Sequence, residues 1–313
     1  MTILITGAEG FVGRNLAESF VKNSYPVLAP TRAELDLANA AAVADYFQRN
    51  TIDTIIHCAT TLREVTTYPT DTCENNLRMF FNLERQLTSS MKLIHLGSGS
   101  EYDRKFWHAK MPEDFFDKHV PDDSHSYSKY LISKYIEEIR GKNIVCLRIF
   151  GIYGKYEDYR YKFISNSIVK NLLGMPIVIN QNVVYDYLYI SDFNRIAEYF
   201  VNNRAKHAAY NITPTASIDL LTIAGHINEV SAKKSEIQVL NDGIGVEYSG
   251  DNTRFLAETG GFTFTPDRDA IEDLYRHYAS QATELDASSI RKDDYLEYAK
   301  KLKSDYFGKT HEK

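Results

Sequence analysis

The sequence predicts an α/β protein built on a doubly wound parallel sheet, and three observations carry that prediction. Strand-like apolar runs alternate with helix-like segments from the first residues to about residue 150. The first run, Ile3-Leu4-Ile5, passes directly into a turn with glycines at Gly7, Gly10 and Gly13. Phe11, Val12, Leu16 and Phe20 then recur at helical spacing. A strand, a glycine turn and a helix in that order aim backbone N–H groups and the positive helix end at a dinucleotide pyrophosphate. The expected fold is therefore a Rossmann-type doubly wound parallel sheet with a smaller C-terminal α/β substrate lobe. Residues 1–150 would form the NAD(P)-binding domain and 151–313 the substrate lobe, interleaved with the first.

Taken in order, the spacing predicts strand two at Pro26–Ala29, a helix at Ala40–Arg49 and strand three at Asp53–Cys58. A long helix over Asp71–Ser89, strand four at Lys92–Leu96, a helix over Ser126–Arg140 and strand five at Asn143–Ile149 complete the first half. Beyond it the regularity fails. Gly151–Tyr161 is rich in Gly, Tyr and charge and predicts a loop over a site. Helices are expected near 162–173, 191–203, 217–230 and 267–280, and short strands near 176–179, 185–189, 208–212 and 236–240. The stretch 285–313 reads as a charged helical tail.

Composition excludes several classes of function. With a net charge of −6 over 313 residues, the chain offers no basic field for nucleic acid or an anionic membrane. No apolar run approaches the roughly 20 residues that span a bilayer. A strand beginning at residue 3 leaves no room for a signal peptide. Cys58, Cys73 and Cys146 are odd in number and read as reduced thiols, so a cytoplasmic location is expected. The nine histidines form no metal-ligand pattern, and no metal is expected.

Strand four runs out into Gly97-Ser98-Gly99-Ser100, and ligands in open α/β sheets bind beyond the carboxyl ends of the strands. On the next helix Tyr130 and Lys134 stand at i and i+4, so they share a face. A free phenol has a pKa of about 10, and a neighbouring ammonium lowers it. Ser98 would hydrogen-bond the reacting oxygen, Tyr130 would exchange its proton, and Lys134 would also hold the nicotinamide ribose. Tyr127 competes for the tyrosine role, but position 131 is leucine, so nothing basic follows it by one turn.

These residues carry a family resemblance. The glycine turn, Ser98 to Tyr102, Tyr130-Leu-Ile-Ser-Lys134, Ile55-Ile-His-Cys-Ala59, Asn76, Arg148 to Gly154 and Tyr185 to Asp192 together resemble the extended short-chain dehydrogenase/reductase family, epimerase/dehydratase type. Most of its members act on nucleotide sugars. The resemblance implies a catalytic set of Ser98, Tyr130 and Lys134. It implies cofactor contacts at Gly7, Gly10, Phe11, Val12, Gly13, Arg32, Asp36, Leu37, Cys58, Ala59, Thr60, Asn76, Lys134 and Phe150. Substrate contacts are implied at Ser98, Ser100, Asn166, Tyr185 and Arg254. The family's habit of pairing the helices at 71–89 and 126–140 implies a homodimer.

Departures from the family narrow the chemistry. The acid pair that dehydratases carry after the catalytic hydroxyl is replaced by Gly99-Ser100, and no cysteine or histidine stands where members that epimerise beside the ketone have them. Tyr185 replaces a phosphate-binding arginine; Arg254, Arg160, Lys155 or Lys162 are the candidates to restore its charge. Residues 27–32 offer no carboxylate to a ribose 2′-hydroxyl but do offer Arg32, which favours NADP(H) over NAD(H), while Glu9 would oppose a 2′-phosphate. The expected activity is NADPH-dependent reduction of a 4-keto-6-deoxy sugar nucleotide. The alternatives are an NAD-dependent 4-epimerase and a non-catalytic NAD(P)-binding regulator.

Overall fold

The computed structural model describes residues 1–64, 67–139 and 142–307. The first half runs β1 (Ile3–Thr6), α1 (Phe11–Lys22), β2 (Val27–Leu28), α2 (Ala40–Arg49), β3 (Thr54–His57), α3 (Thr72–Glu84), β4 (Lys92–Ser98), α4 (Ser124–Glu138) and β5 (Ile144–Ile149). The second half runs β6 (Gly151–Tyr153), α5 (Phe163–Leu172), β7 (Ile177–Asn182), β8 (Val184–Tyr185), β9 (Tyr187–Tyr189), α6 (Ile190–Asn202) and β10 (Ala209–Ile212). It ends with β11 (Ile218–Asp219), α7 (Leu220–Val230), β12 (Ile237–Ile244), α8 (Thr253–Thr259), α9 (Asp267–Ser280), α10 (Ala287–Lys292) and α11 (Asp294–Leu302).

Six strands form one parallel sheet in the order β10-β5-β4-β3-β1-β2. Its sixth strand comes from residues 209–212, so the second half of the chain completes the sheet of the first. The order reverses at β1, which has β2 on one side and β3 on the other. That reversal opens a crevice at the carboxyl ends of β1 and β3.

Alternation along each strand splits the core in two. Ile3, Ile5, Ile56, Ile94 and Leu147 face one side with Phe163 and Ile168 of α5, Phe193 and Phe200 of α6, and Leu274 of α9. Leu4, Ile55, Leu93 and Cys146 face the other, with Val43 of α2, Phe80 and Leu83 of α3, and Ile132 and Ile136 of α4. Burial on both faces explains the unbroken apolar strand runs.

Several element bounds differ from expectation. Strand two is only two residues long, Val27–Leu28. The helix expected to Ser89 ends at Glu84, and backbone bonds from Gln86 to Leu83 and Leu87 to Glu84 close it as a tight turn. The next helix starts at Ser124, because the Asp123 carboxylate accepts from Ser126 N–H at 2.9 Å and caps it; its expected end, Arg140, lies outside the described residues. The tail forms α10 and α11 as far as the described residues reach, and residues 308–313 lie outside them.

Candidate active site

The glycine turn lies against the loop that follows β3. Gly7 has φ +67°, and a Cβ there would stand 2.8 Å from Ala59 N. A Cβ on Gly13 would stand 2.3 Å from Gly7 O, so only glycine lets α1 start this close to the turn. Among the described residues no side chain caps α1, and its first turn holds no acid. Its first N–H groups, on Phe11, Val12 and Gly13, therefore remain for an anion. Thr6 Oγ1 accepts from Ala59 N–H at 3.3 Å, which ties β1 to the Cys58-Ala59-Thr60 loop. Asn76 holds the other end of that loop: its carbonyl accepts from Thr61 N–H at 2.8 Å, and its amide donates to Ser128 Oγ at 2.9 Å.

At the far side of the crevice, beyond β2, Glu9, Thr31, Arg32, Ala33 and Asp36 line a second depression. The Arg32 N–H donates to the Glu9 carboxylate at 3.2 Å, and among the described residues its exposed guanidinium makes no ion pair. Asp36 accepts from Ala38 N–H at 3.1 Å, while Leu37 is buried and its carbonyl accepts from Asn82 at 2.8 Å. The glycine cradle, open helix end and free guanidinium fit an NAD(P) dinucleotide.

β4 delivers Ser98 to the mouth of a cavity of about 340 Å³. The Ser100 N–H and hydroxyl donate to Ser98 Oγ at 3.1 and 3.0 Å, and the Tyr248 phenol is hydrogen-bonded to the same side chain. Below them is a buried ion network. Glu101 accepts from Ser98 N–H at 2.7 Å and pairs with Arg148 Nε at 2.7 Å; Arg148 also pairs with Glu137 of α4 at 2.6 Å. Arg148 and Glu101 are fully buried, so this pair fixes the end of β4 against β5 and α4. Phe150 lines the same cavity, packed on Tyr102 and Tyr248.

Tyr130 and Lys134, expected beside Ser98, stand elsewhere in the structure. Neither lines the cavity. The Tyr130 phenol donates to Asp117, and Lys134 Nζ donates to both Asp117 oxygens at 2.9 and 2.8 Å. Burial and then the Asp117 carboxylate raise the Tyr130 pKa, against the opposing effect of Lys134. The cause is the rotation of α4. Ile132 and Ile136 pack on the sheet. At about 100° per residue, Lys129 and His125 fall on that same stripe, and Tyr130 lies about a third of a turn away.

His125 therefore lines the cavity with Ser98, and Lys129 reaches the Leu96 carbonyl at 2.6 Å. The His125 ring stacks on Tyr68 at 4.5 Å and 6°, and its Nδ1 is buried with no hydrogen-bond partner among the described residues. Burial, then the Lys129 charge, push its pKa down to about 3. Burial likewise lowers that of Lys129, with Glu101 opposing. One signal in the sequence marked this register: the Ser-Lys pair occurs twice, at 128–129 and at 133–134.

Two residues expected at the substrate also lie away from the cavity. Asn166 is buried in α5, where its amide donates to Tyr159 O at 3.0 Å, and Arg254 donates to Ala209 O at 3.1 Å; neither reaches the cavity. Arg160 pairs with Asp158 and Lys155 with Glu18, so neither supplies the charge lost at Tyr185. Tyr185 does line the cavity, as do Ser100 and Lys162. Arg63, Arg104 and Lys303 line it too, none of them foreseen. Aromatic side chains on its wall include Tyr187, Tyr295 and Tyr298, with the Arg63 guanidinium 3.6 Å over the Tyr298 ring, and the Glu157 carboxyl also lines it.

Among the described residues no helix is long and apolar enough to cross a membrane, and no three acidic, His or Cys side chains gather as a metal site. A profile of the NAD dependent epimerase/dehydratase family matches residues 3–213. The chain is 44% identical over 57 residues to GDP-L-fucose synthase of Azorhizobium caulinodans, a match spanning 18% of each chain. It is 24% identical over 299 residues to GDP-6-deoxy-D-talose 4-dehydrogenase of Aggregatibacter actinomycetemcomitans, covering 88% of this chain and 98% of that one. Among solved structures, GDP-mannoheptose C4 reductase of Campylobacter jejuni, with NADP bound, superposes at a TM-score of 0.76 and 20% identity over 89% of this chain and 98% of its own. UDP-glucose 4-epimerase of Thermotoga maritima does so at 0.77 and 17% over 90% and 99%.

Proposed function

The chain belongs to the NAD dependent epimerase/dehydratase family, and on that premise we propose that it reduces a 4-keto-6-deoxy sugar nucleotide with NADPH. The observation that carries this reading is the hydroxyl cluster of Ser98, Ser100 and Tyr248 at the carboxyl end of β4, in the same parallel sheet whose β1 ends in the glycine turn. A carbonyl oxygen held by Ser98 is polarised by hydroxyl donors that the buried Glu101–Arg148 pair keeps in place. The bound dinucleotide supplies the hydride. Phe11, Val12 and Gly13 N–H groups hold its pyrophosphate, and Arg32 faces the adenosine end.

Arg63, Arg104, Lys162 and Lys303 give the cavity wall the positive charge that a nucleotide diphosphate needs, in place of an arginine at 185. The aromatic wall suits the faces of a sugar and a base.

A 4-epimerase that retains NAD is the second reading, and one observation favours it. Glu9 reaches across to the end of β2, where a carboxylate would accept from a ribose 2′-hydroxyl. Mass spectrometry of the purified protein separates the two. Co-purifying NAD supports the epimerase. A site that fills only on adding NADPH, followed by NADPH-dependent reduction of GDP-4-keto-6-deoxymannose or dTDP-4-keto-6-deoxyglucose, supports the reductase. Retained NAD with no consumption of NADPH on either sugar rejects the reductase reading.

A further inference from the structure

We propose that His125, backed by Lys129, is the proton-transferring group of this site, in the role the sequence had pointed to at Tyr130 and Lys134. The inference rests on the reading of the cavity as a site of hydride transfer at a sugar carbonyl. Hydride transfer there needs a proton carrier beside Ser98, and Tyr130 is not it, since its phenol is spent on Asp117 outside the cavity. His125 lines the cavity with Ser98 and Ser100, and its ring is held flat against Tyr68 at 4.5 Å. Its Nδ1 is buried without a partner among the described residues, a cost that is repaid when a ligand, or a water it brings, supplies one.

Lys129 follows by one helical turn on the same stripe of α4, anchored to the Leu96 carbonyl two residues before Ser98. The pair thus repeats the i, i+4 geometry of a proton carrier and its cation, with an imidazole in place of a phenol. Burial and Lys129 keep that imidazole neutral at rest. In the oxidative direction the carbinol carbon gives its hydride to the dinucleotide, the O–H electron pair becomes the second C–O bond, and the proton passes to the imidazole. Reduction is the same step reversed: as hydride reaches the carbonyl carbon, the oxygen takes the π electrons and a proton that the ring has drawn from solvent, which leaves the imidazole neutral as it began. The negative charge growing on that oxygen favours the ring's brief protonation.

The test compares wild type with His125→Phe, His125→Tyr, Tyr130→Phe and Tyr248→Phe. NADPH oxidation is followed with GDP-4-keto-6-deoxymannose and dTDP-4-keto-6-deoxyglucose as probes, and NADPH affinity is measured by fluorescence in each variant. His125→Phe should lose roughly 10²–10⁴-fold in turnover while retaining NADPH, and Tyr130→Phe should stay within about threefold of wild type. His125→Tyr should recover at least about tenfold over His125→Phe, since a phenol beside Lys129 transfers protons too. A hundredfold loss confined to Tyr130→Phe or Tyr248→Phe overturns the proposal.

A second arm needs no sugar. In protein labelled with ¹⁵N-histidine, with the His125 signals assigned from the His125→Phe spectrum, saturating NADP⁺ should shift the His125 ring nitrogens. If wild type consumes no NADPH on either probe, the reductase reading fails and this arm alone decides. A His125 ring unmoved by cofactor rejects the role.

Discussion

Arg32 is a single side chain on which cofactor choice turns. Its guanidinium is free of ion pairs among the described residues, but its own backbone N–H binds Glu9, so any 2′-phosphate it meets also meets a carboxylate. A charge-assisted hydrogen bond contributes about 1.5–3 kcal/mol, roughly 10- to 100-fold in affinity. Glu9 offsets part of this, so NADPH should bind only modestly tighter than NADH. Arg32→Ala should weaken NADPH and leave NADH nearly unchanged in fluorescence titrations; equal loss of both would show that Arg32 reads something other than the phosphate. Gly7 and Gly13 were legible in the sequence because the turn into α1 leaves no room for a Cβ, whereas Ser98 was marked by its place at a strand end and Asn76 only by the family resemblance. The partner on α4 was not. Tyr130 with Lys134 and His125 with Lys129 satisfy the same i, i+4 rule, and only the packing of Ile132 and Ile136 on the sheet chooses between them.

At the scale of the element, β4 and α4 are locked together by Arg148, a buried guanidinium held between Glu101 and Glu137. Removing one partner of a buried pair costs about 3–5 kcal/mol, because the other charge is left in the core. Arg148→Met should therefore lower the denaturation midpoint strongly, and adding Glu101→Leu to it, which removes the stranded charge, should recover part of the loss. A loss no larger than that of a surface arginine would mean that water reaches Glu101. Strands were legible from unbroken apolar runs, whereas helix ends depended on caps and turns. Asp123 starts α4 earlier than the apolar pattern implied, and the turn at residues 85–87 ends α3 earlier.

For the whole molecule, stability should depend on pH through Glu157, a buried carboxyl on the cavity wall. Burial, eased by Lys162 and Ser165, raises its pKa from 4.5 to about 7. An acid whose folded pKa is raised contributes fully below pH 4.5, and that contribution is lost as pH climbs through about 7. Up to about 3 kcal/mol is at stake. Urea midpoints of wild type should fall relative to those of Glu157→Gln over this window, and parallel curves would show that Glu157 ionises freely. The proposed homodimer has less support than the sequence implied. Phe80 and Leu83 of α3 are buried within the chain, and Met79, Phe81 and Leu87 are half-covered. If α3 and α4 pair between two copies, sedimentation at micromolar protein should show twice 35.8 kDa; a monomer throughout would end that proposal.

The cavity wall also sets an order of events during synthesis. Every residue around the glycine turn and its loop, from Gly7 to Asn76, leaves the ribosome before β4 does, whereas Tyr295, Tyr298, Ala299, Leu302 and Lys303 emerge only after the last strand of the sheet and close the far wall. A nascent chain thus gains the Asn76 bond that holds the cradle's loop only once Ser128 has arrived, and must wait for α11 before the cavity can close around a ligand. Ligands of the two regions should consequently act as folding aids at different moments, the dinucleotide before α11 has emerged and the ligand of the cavity only after it.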